Sequence, residues 1–542
     1  MSAPGGGRLG RRATALLAAG PAAFLAVFFV LPVATIVGTG LRDEGRWNLG
    51  ALADVLGDGG LRQVVWFTAW QAVVSTVATL AVGLPAAYVL ARFAFPGREL
   101  VRAILSVPFV LPTVVVAVAF LALLPDDLTG TVAAMFIAHV FFNVAVVIRV
   151  VGGLLERTDP RLEEAAATLG ASRWRAVREV TWPLARPAVW SAGGIVFLFS
   201  FTSFGVVLLL GDPARPTLDV EIYRQTALLL DLPTAAALSL VQLAVVGTLV
   251  AVGTRRQRRS VVEQPLTGAA VPGRRPRGVG ERAVILGALG VALALVVAPL
   301  SVLVARSVRV GDQWSLAWYR ALVEGGRSGP LLVTPIEAVR NSLLFAVAAT
   351  VIAVAVGGLA AVVIARGSGP ASRALDAALI LPLGVSAVTI GFGFLVALDS
   401  PPLDLRGSTA LVPIAQALVA VPFVVRTVVP VLVSIDRRVR EAAAVLGASP
   451  ARVWREVDLP LAGRALAAGA AFAFAISLGE FGATVFLARA QEPTVPVAIL
   501  RLLGRPGAES LGTATALSVV LLVLTAASFL VIGRLRLPGT DR

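Results

Sequence analysis

The chain lacks two residue types on which much protein chemistry depends. Among its 542 residues there is no cysteine and no lysine, so all 47 basic side chains are arginines, and His139 is the only histidine. Without cysteine no disulfide can form, and the shortage of soft and imidazole ligands disfavours a permanent transition-metal site. A Walker A loop needs lysine, so the chain cannot itself be an ordinary P-loop ATPase.

Charged residues are scarce as well. They make up 15% of the chain, whereas 57% of residues are hydrophobic and the mean hydropathy is +0.86. Soluble domains average about 25% charged residues, so soluble enzymes are poor candidates. The net charge of +15 would suggest nucleic acid in a soluble chain. Here arginines that hold membrane topology explain it better, so the expected partner is the lipid bilayer and not nucleic acid.

Long apolar windows predict an all-α polytopic membrane protein with about twelve spans. The windows fall near residues 13–37, 64–90, 103–124, 131–151, 187–210, 234–253, 283–305, 341–365, 375–398, 410–432, 464–487 and 512–532. The first is too long for a signal-peptide core, so we expect an uncleaved anchor. With both termini in the cytoplasm, roughly two-thirds of the arginines face inward, as the positive-inside rule requires. We therefore predict a multi-pass protein of the cell (plasma) membrane with both termini cytoplasmic.

The spans divide into two halves of six. The first half covers residues 1–253 and contains a long cytoplasmic loop at about 152–186. A basic linker rich in proline and glycine follows at 254–282, where no apolar period is found. The second half covers 283–533, with its long loop at about 433–463, and a cytoplasmic tail follows at 534–542.

The two long loops repeat each other when the sequence is shifted by 277 positions. The shift superposes Arg149 on Arg426, Asp159 on Asp436, Glu164 on Glu441, Ala165 and Ala166 on Ala442 and Ala443, Gly170 on Gly447, and Pro183 on Pro460. Each loop predicts a helix, a turn and a second helix: an aspartate caps the first helix, the glycine ends it, a serine caps the second helix and the proline closes it.

These loops are either passive hairpins or docking sites. Their Ala-Ala pairs allow another backbone to approach closely, and arginines surround them, which favours docking. The arginines are Arg173, Arg175, Arg178, Arg452 and Arg455.

The repeated motif resembles the coupling motif of ABC importer permeases, which reads EAA, three residues, G, nine residues and I-x-L-P. The first copy is Glu164-Ala165-Ala166, Gly170 and Val180-Thr181-Trp182-Pro183, and the second is Glu441-Ala442-Ala443, Gly447 and Val457-Asp458-Leu459-Pro460, with identical spacing. Valine replaces isoleucine in both copies, and Trp182 replaces leucine in the first.

The resemblance implies the type I ABC importer permease fold and a transport function without catalytic residues. It implies that two copies of an ATPase subunit dock on the cytoplasmic face, and that an extracytoplasmic binding protein delivers substrate. ATP would be bound by those partner subunits, and no cofactor by this chain. The residues it identifies as ATPase-coupling are Glu164, Ala165, Ala166, Gly170, Pro183, Glu441, Ala442, Ala443, Gly447 and Pro460.

A second resemblance concerns the substrate. Residues 210–223 and 231–236 are similar to fused permeases of the thiamine and ferric-iron importer group, and nearer to the thiamine members. The layout of six plus six spans in one chain also matches that group. The resemblance implies import of thiamine or its phosphates, or of ferric iron.

Glu480 is the clearest ionisable residue inside a predicted span, and Ser203 holds the equivalent place in the first half. A charge within a bilayer is costly, so such a residue faces either a cavity or a partner. Glu480 and Ser203 are therefore candidates for the translocation path. The alternative is that the Glu480 carboxylate bonds a neighbouring backbone or hydroxyl group and holds a broken helix together.

The rival function is a secondary, proton- or ion-coupled transporter of the twelve-span facilitator type. Ion coupling normally uses polar groups deep in the spans, and this chain offers little beyond Glu480. A facilitator also has no need for two matched helix-turn-helix loops.

Overall fold

Apolar helices dominate the chain, as its hydropathy predicts. The computed structural model describes residues 11–43, 46–47, 50, 57–159, 161–259, 273–324, 331–367, 369–399, 401 and 403–536. Residues 260–272 of the predicted linker and 537–542 of the predicted tail therefore lie outside the described residues. The fold class, an all-α polytopic membrane protein, is confirmed.

Among the described residues of the first half we number the α-helices α1 Arg11–Leu25, α2 Leu31–Leu41, α3 Gly59–Arg92, α4 Arg98–Ser106, α5 Thr113–Leu123, α6 Val132–Arg157, α7 Arg161–Thr168, α8 Arg173–Ala176, α9 Trp182–Phe201, α10 Gly205–Leu210, α11 Leu218–Tyr223 and α12 Leu232–Arg259. Those of the second half are α13 Val279–Ser307, α14 Ala317–Glu324, α15 Pro335–Arg366, α16 Pro370–Ile380, α17 Ala387–Ala397, α18 Leu411–Ser434, α19 Arg437–Val445, α20 Pro450–Val453, α21 Leu459–Gly479, α22 Thr484–Leu487, α23 Val495–Leu503 and α24 Ala508–Arg536.

Short hairpins and wider or tighter helical turns complete the fold. The strands β1 Arg42–Asp43 and β2 Arg46–Trp47 pair antiparallel, as do β3 Arg309–Val310 and β4 Gln313–Trp314. Turns of π-helix lie at Ala26–Val30, Val177–Thr181, Arg224–Leu228 and Trp454–Asp458, and turns of 3₁₀-helix at Val107–Val110 and Leu381–Gly384.

Ten continuous helical segments of the described chain are long and apolar enough to cross a membrane, or eleven if one bent pair of helices counts as a span, against the twelve or so predicted. The predicted spans 103–124 and 375–398 are broken helices instead. In the first, Arg98–Val110 and Thr113–Leu123 meet at an angle of 109°. Prolines explain the breaks, since Pro112 precedes α5 and Pro382 lies in the 3₁₀ turn before α17.

The broken helix between α3 and α6 carries the chain from one face to the other. The Arg92 guanidinium at the end of α3 donates to the carbonyls of Leu155 and Thr158 at 3.2 and 3.0 Å, so α3 and α6 end at the same face. Residues 93–131 must therefore return the chain to the opposite face, where α6 begins.

The helices form two compact units that interleave along the sequence. One comprises residues 54–221 and 244–314, and the other 1–53, 222–243 and 315–542. The first unit is built on α3, α6 and α9, with α13 packed on α3 and α5. The second is built on α15, α18 and α21, with α1 packed on α15 and α16. The first helix of each sequence half thus packs in the unit built mainly from the other half. The predicted halves, residues 1–253 and 283–533, describe the sequence and stay a prediction.

A glycine allows a close helix crossing in each unit. A Cβ on Gly83 of α3 would lie 2.7 Å from the Cβ of Val147, and one on Gly357 of α15 would lie 3.0 Å from the Cβ of Val424. Small residues at helix interfaces are how membrane helices gain contact area, because lipid supplies no hydrophobic driving force between them. The repeat is therefore present in the packing as well as in the loops.

The end of the linker is fixed to the first of these units. The Arg274 guanidinium donates to both Glu281 oxygens at 2.9 and 2.8 Å and stacks on the Phe93 ring at 4.7 Å. The hydrogen bond to Glu281 raises the pKa of Arg274 above its ordinary value. This contact orients the start of α13 beside the end of α3.

Candidate coupling site

Side-chain caps begin both helices of each long loop, as the sequence predicts. The carboxylates of Asp159 and Asp436 each accept a hydrogen bond of 2.9 Å from the backbone N–H two residues later. The hydroxyls of Ser172 and Ser449 each accept one of 3.3 Å from the N–H three residues later. These bonds satisfy donors that a helix start leaves without a partner in the helix.

Gly170 and Gly447 end the first helix of each loop in a left-handed conformation, with φ of 84° and 83°. In both, the glycine N–H bonds the carbonyl three residues earlier and the next N–H bonds the carbonyl five residues earlier, at 3.0 or 3.1 Å. This is the Schellman motif, which favours glycine because a Cβ is strained at positive φ. A Cβ at either position would meet no atom within 4 Å, so an added side chain would point away from the chain.

The prediction that Pro183 and Pro460 close the second helix is wrong. Each proline lies at the start of the following helix, α9 or α21, and the helical path from α8 or α20 continues into it through a π turn. The wider π turn directly before each proline accommodates a residue that has no N–H to donate. The second loop helix is therefore continuous with a membrane-spanning helix.

The first loop helices, α7 and α19, are poorly covered by the rest of the chain. Neither contains a buried residue. Large apolar side chains beside the glycines are exposed: Leu169 by 89%, Trp174 by 75%, and Val445 and Leu446 by 87% each. Exposed apolar groups of this size on a polar helix-turn-helix are typical of a surface that a partner covers.

Most of the predicted coupling residues are exposed. Ala165, Ala442, Gly170, Gly447, Pro183, Pro460 and Glu164 are exposed, and Ala166, Ala443 and Glu441 are half-buried. Glu441 accepts a hydrogen bond of 2.6 Å from Arg437 of its own helix.

The arginines of the second loop helices are paired locally. Arg175 donates to both oxygens of Glu179 at 3.1 Å, and Arg452 donates to those of Glu456 at 3.0 and 3.1 Å. These pairs lie one helical turn apart and are solvent-exposed, so water and salt screen them and they add little to stability. They also fix the direction of the arginines on the surface of the loop.

A largely buried polar cluster, which sequence reasoning missed, joins the first loop to the spans. We call Arg92, Glu163 and Thr181 the first anchor cluster. The Arg92 guanidinium lies 2.9 Å from a Glu163 oxygen, and the Thr181 hydroxyl donates to that same oxygen at 2.7 Å. The cluster connects the end of α3, the helix α7 and the π turn before α9.

The second anchor cluster consists of Arg366, Arg440 and Asp458 and connects the corresponding elements of the other unit. Asp458 is fully buried and forms ion pairs with both arginines, at 2.8 Å in the case of Arg440. Burial lowers the pKa of Arg440, and its guanidinium also donates to the Leu432 carbonyl at 3.0 Å. The available signal was an arginine at the end of corresponding spans, Arg92 and Arg366, which the loop offset does not align.

Glu480 bonds neighbouring backbone and hydroxyl groups, as one of the two interpretations of the sequence expects. Its carboxylate accepts hydrogen bonds from the N–H groups of Ala483 and Thr484, at 2.8 and 3.0 Å, and from the Thr484 hydroxyl. Glu480 ends α21 and its bonds hold the start of α22, so the carboxylate joins the two parts of a broken helix. A role in the translocation path stays a prediction.

Ser203 belongs to a buried polar group in the other unit. Its hydroxyl lies 3.0 Å from Nε2 of His139, whose Nδ1 lies 2.9 Å from the Ser75 hydroxyl. The histidine is therefore bonded at both ring nitrogens, as expected for a packed histidine in an apolar helix. A path role for Ser203 also stays a prediction.

Two repeated helical units, each with an exposed helix-turn-helix continuous with a membrane-spanning helix, define a class: a polytopic membrane protein with two repeated halves. The chain belongs to the family of binding-protein-dependent transport system inner-membrane components. The sequence model of that family matches twice, at residues 80–263 and 353–536.

Curated relatives match along most of the chain. The chain is 28% identical to the thiamine transport system permease protein of Brucella suis biovar 1, over 82% of each chain. It is 26% identical to that of Escherichia coli (strain K12), over 89% of this chain and 90% of the relative. It is also 34% identical to the molybdenum transport system permease protein of Mycobacterium bovis, over 40% of this chain and 87% of the relative.

These matches confirm the predicted class, a permease of an ABC importer with two fused halves. The rival reading as a secondary transporter is not favoured, because the family match covers both halves. The relatives are transport permeases, in agreement with a chain that carries substrate and has no enzymatic role.

Proposed function

We propose that this chain is the permease of a thiamine importer, with thiamine phosphates as the closest variants. The observation that carries the proposal is the extent of the match: relatives named thiamine permeases align over 82–89% of the chain, across both halves. The match to the molybdenum permease covers 40% of the chain, which is less than one of its two repeated halves. Ferric iron, the other expectation from sequence, has no such support.

In this proposal ATP is bound and hydrolysed by two copies of a separate ATPase, and this chain binds no cofactor. One ATPase docks on each helix-turn-helix, at α7 and α8 and at α19 and α20. The exposed apolar residues beside Gly170 and Gly447 support this assignment, because a partner would cover them. A substrate-binding protein delivers thiamine to the opposite face, and both termini are cytoplasmic.

The proposed residues divide by role. Glu164, Ala165, Ala166, Gly170 and Pro183 contact one ATPase, and Glu441, Ala442, Ala443, Gly447 and Pro460 contact the other. Closure of the ATPases on ATP would move the loops, and the continuous helices α8–α9 and α20–α21 would carry that movement into the bilayer.

Docking is tested with Gly170→Asp and Gly447→Asp in one chain. Each new side chain points outward into the space that the ATPase would occupy, so we expect loss of ATPase capture with normal membrane insertion. Gly153→Ala is the control, because a Cβ at Gly153 also meets no atom within 4 Å. If the purified double variant still captures the ATPase and transports, the docking assignment is wrong.

The substrate is tested by uptake into proteoliposomes that contain the chain, its ATPase and its binding protein. Labelled thiamine, ferric citrate and molybdate are supplied separately. We expect ATP-dependent uptake of thiamine alone. Uptake of ferric citrate or molybdate in place of thiamine would overturn the substrate and leave the permease function intact.

A further inference from the structure

The two anchor clusters occupy equivalent positions but carry different charges. Glu163 and Arg440 lie 277 positions apart, as do Thr181 and Asp458, whereas Arg92 and Arg366 lie 274 apart. In the first cluster the acid is on the loop helix α7, and in the second it is on the π turn before α21. The other of these two equivalent positions is Thr181 on the π turn in the first cluster and Arg440 on the loop helix in the second.

Each arrangement keeps its buried charges paired. The first has one arginine, one carboxylate and a hydroxyl that donates to the carboxylate. The second has one carboxylate between two arginines. An unpaired buried charge is strongly unfavourable, so neither position could change alone without loss of a partner.

In each unit, one arginine of the anchor cluster also donates a hydrogen bond to a backbone carbonyl near the end of a span. In the first unit Arg92 donates to the Leu155 carbonyl at 3.2 Å, and in the second Arg440 donates to the Leu432 carbonyl at 3.0 Å. Leu155 and Leu432 are equivalent residues near the ends of α6 and α18. An arginine of each cluster therefore bonds the same point of its bundle, from the end of the span α3 in the first unit and from the loop helix α19 in the second.

We propose that the anchor clusters are positioning sites that hold each coupling helix to three membrane-spanning helices, so that movement of the helix under the ATPase moves the spans. The inference rests on the proposed function of the loops. It accounts for how α7 and α19, which bury no residue of their own, are attached to the spans. Glu163 and Arg440 provide this attachment by reaching from the loop helix to the buried ends of the spans.

The first cluster supplies the design for a test in the second. Arg440→Glu or Asp458→Thr alone leaves buried charges without partners. Arg440→Glu with Asp458→Thr recreates the first cluster, in which the new glutamate pairs with Arg366 and accepts from the new threonine. Asp376→Thr is the matched control. Asp376 is 44% exposed, and its ion pair with Arg426 is long, at 4.0 Å, so its loss should matter little.

Three quantities are measured in proteoliposomes with the ATPase and binding protein: ATPase retained per chain, ATP hydrolysed, and labelled thiamine imported. We expect each single variant to retain the ATPase and hydrolyse ATP, while thiamine imported per ATP falls about tenfold. The double variant should recover most of that ratio, and Asp376→Thr should keep it. A merely structural role would instead lower the amount of assembled complex and leave the ratio unchanged.

A ratio unchanged in the single variants, or a double variant as uncoupled as either single one, overturns the inference. Should the single variants fail to fold, the double variant still decides, since it leaves no buried charge unpaired. If the wild-type chain captures no ATPase, the proposed function fails instead. Hydrogen exchange of residues 437–445 in the isolated chain then tests the anchors: faster exchange in Arg440→Glu, restored in the double variant, supports them, and equal exchange contradicts them.

Discussion

At the scale of single residues, Glu480 explains how a carboxylate can remain buried in a membrane-embedded segment. Its two oxygens accept three hydrogen bonds, all from residues within four positions. These hydrogen bonds replace those to water that the buried carboxyl group gives up, so its burial leaves it with partners. The residue therefore acts as the cap of a short helix that follows a break.

We expect Glu480→Ala to destabilise the protein by about 1–2 kcal/mol, because the N–H groups of α22 lose their acceptor. Thr484→Val should cost less, and the double variant should be no worse than Glu480→Ala alone, since both remove the same interaction. Thermal unfolding in detergent measures all three. Additive losses would show that the two side chains act independently, and a changed Michaelis constant for thiamine in Glu480→Gln would restore the path role.

The glycine of the helix crossing is a second residue-scale feature. Gly83→Leu should destabilise the first unit by about 1–3 kcal/mol, because Val147 leaves no space for a side chain. Gly194→Leu is the matched control: that glycine also lies within a span, but a Cβ there meets no atom within 4 Å. The thermal midpoints of the two variants in the same detergent make the comparison. Equal midpoints would contradict the close crossing.

At the scale of elements, the coupling loops depend on how their first helices end. Gly447→Ala should loosen the loop by about 1 kcal/mol, because φ of 83° is strained for alanine. Gly463→Ala in the regular part of α21 should be neutral or stabilising, since alanine is the better helix former and has open space there. Hydrogen exchange of residues 437–448 reports the difference, and faster exchange in the Gly463 variant only would reverse the assignment.

Local signals predicted the loops well and failed where tertiary packing decides. The hydrogen bonds that define the roles of Asp159, Ser172 and Gly170 involve near neighbours in sequence, so these roles can be predicted from the local sequence. The outcome at Pro183 depends on a π turn, and hydropathy windows do not report that the chain bends at Pro112. The anchor clusters join residues about 70 to 90 positions apart, for which a single sequence gives no pairing signal.

At the scale of the whole molecule, the sequence predicted two repeats but not how the repeats share helices. Helix α13 packs in the unit of residues 54–221, and α1 packs in the unit of residues 315–542. Hydropathy and a shifted alignment treat each half as continuous, and neither contains information about which bundle a first helix joins. The exchange ties the stability of each unit to a helix from the other half.

In the proposed function, the chain forms a substrate path that hydrolyses no ATP itself, and its two long cytoplasmic loops receive movement from the ATPase subunits. The most direct test of this function is thiamine uptake into proteoliposomes that contain the chain and binding protein, with the ATPase present or omitted, and with ATP or a non-hydrolysable analogue. We predict uptake only when the ATPase and hydrolysable ATP are both present. Thiamine that accumulates inside vesicles holding the chain without its ATPase would contradict the account.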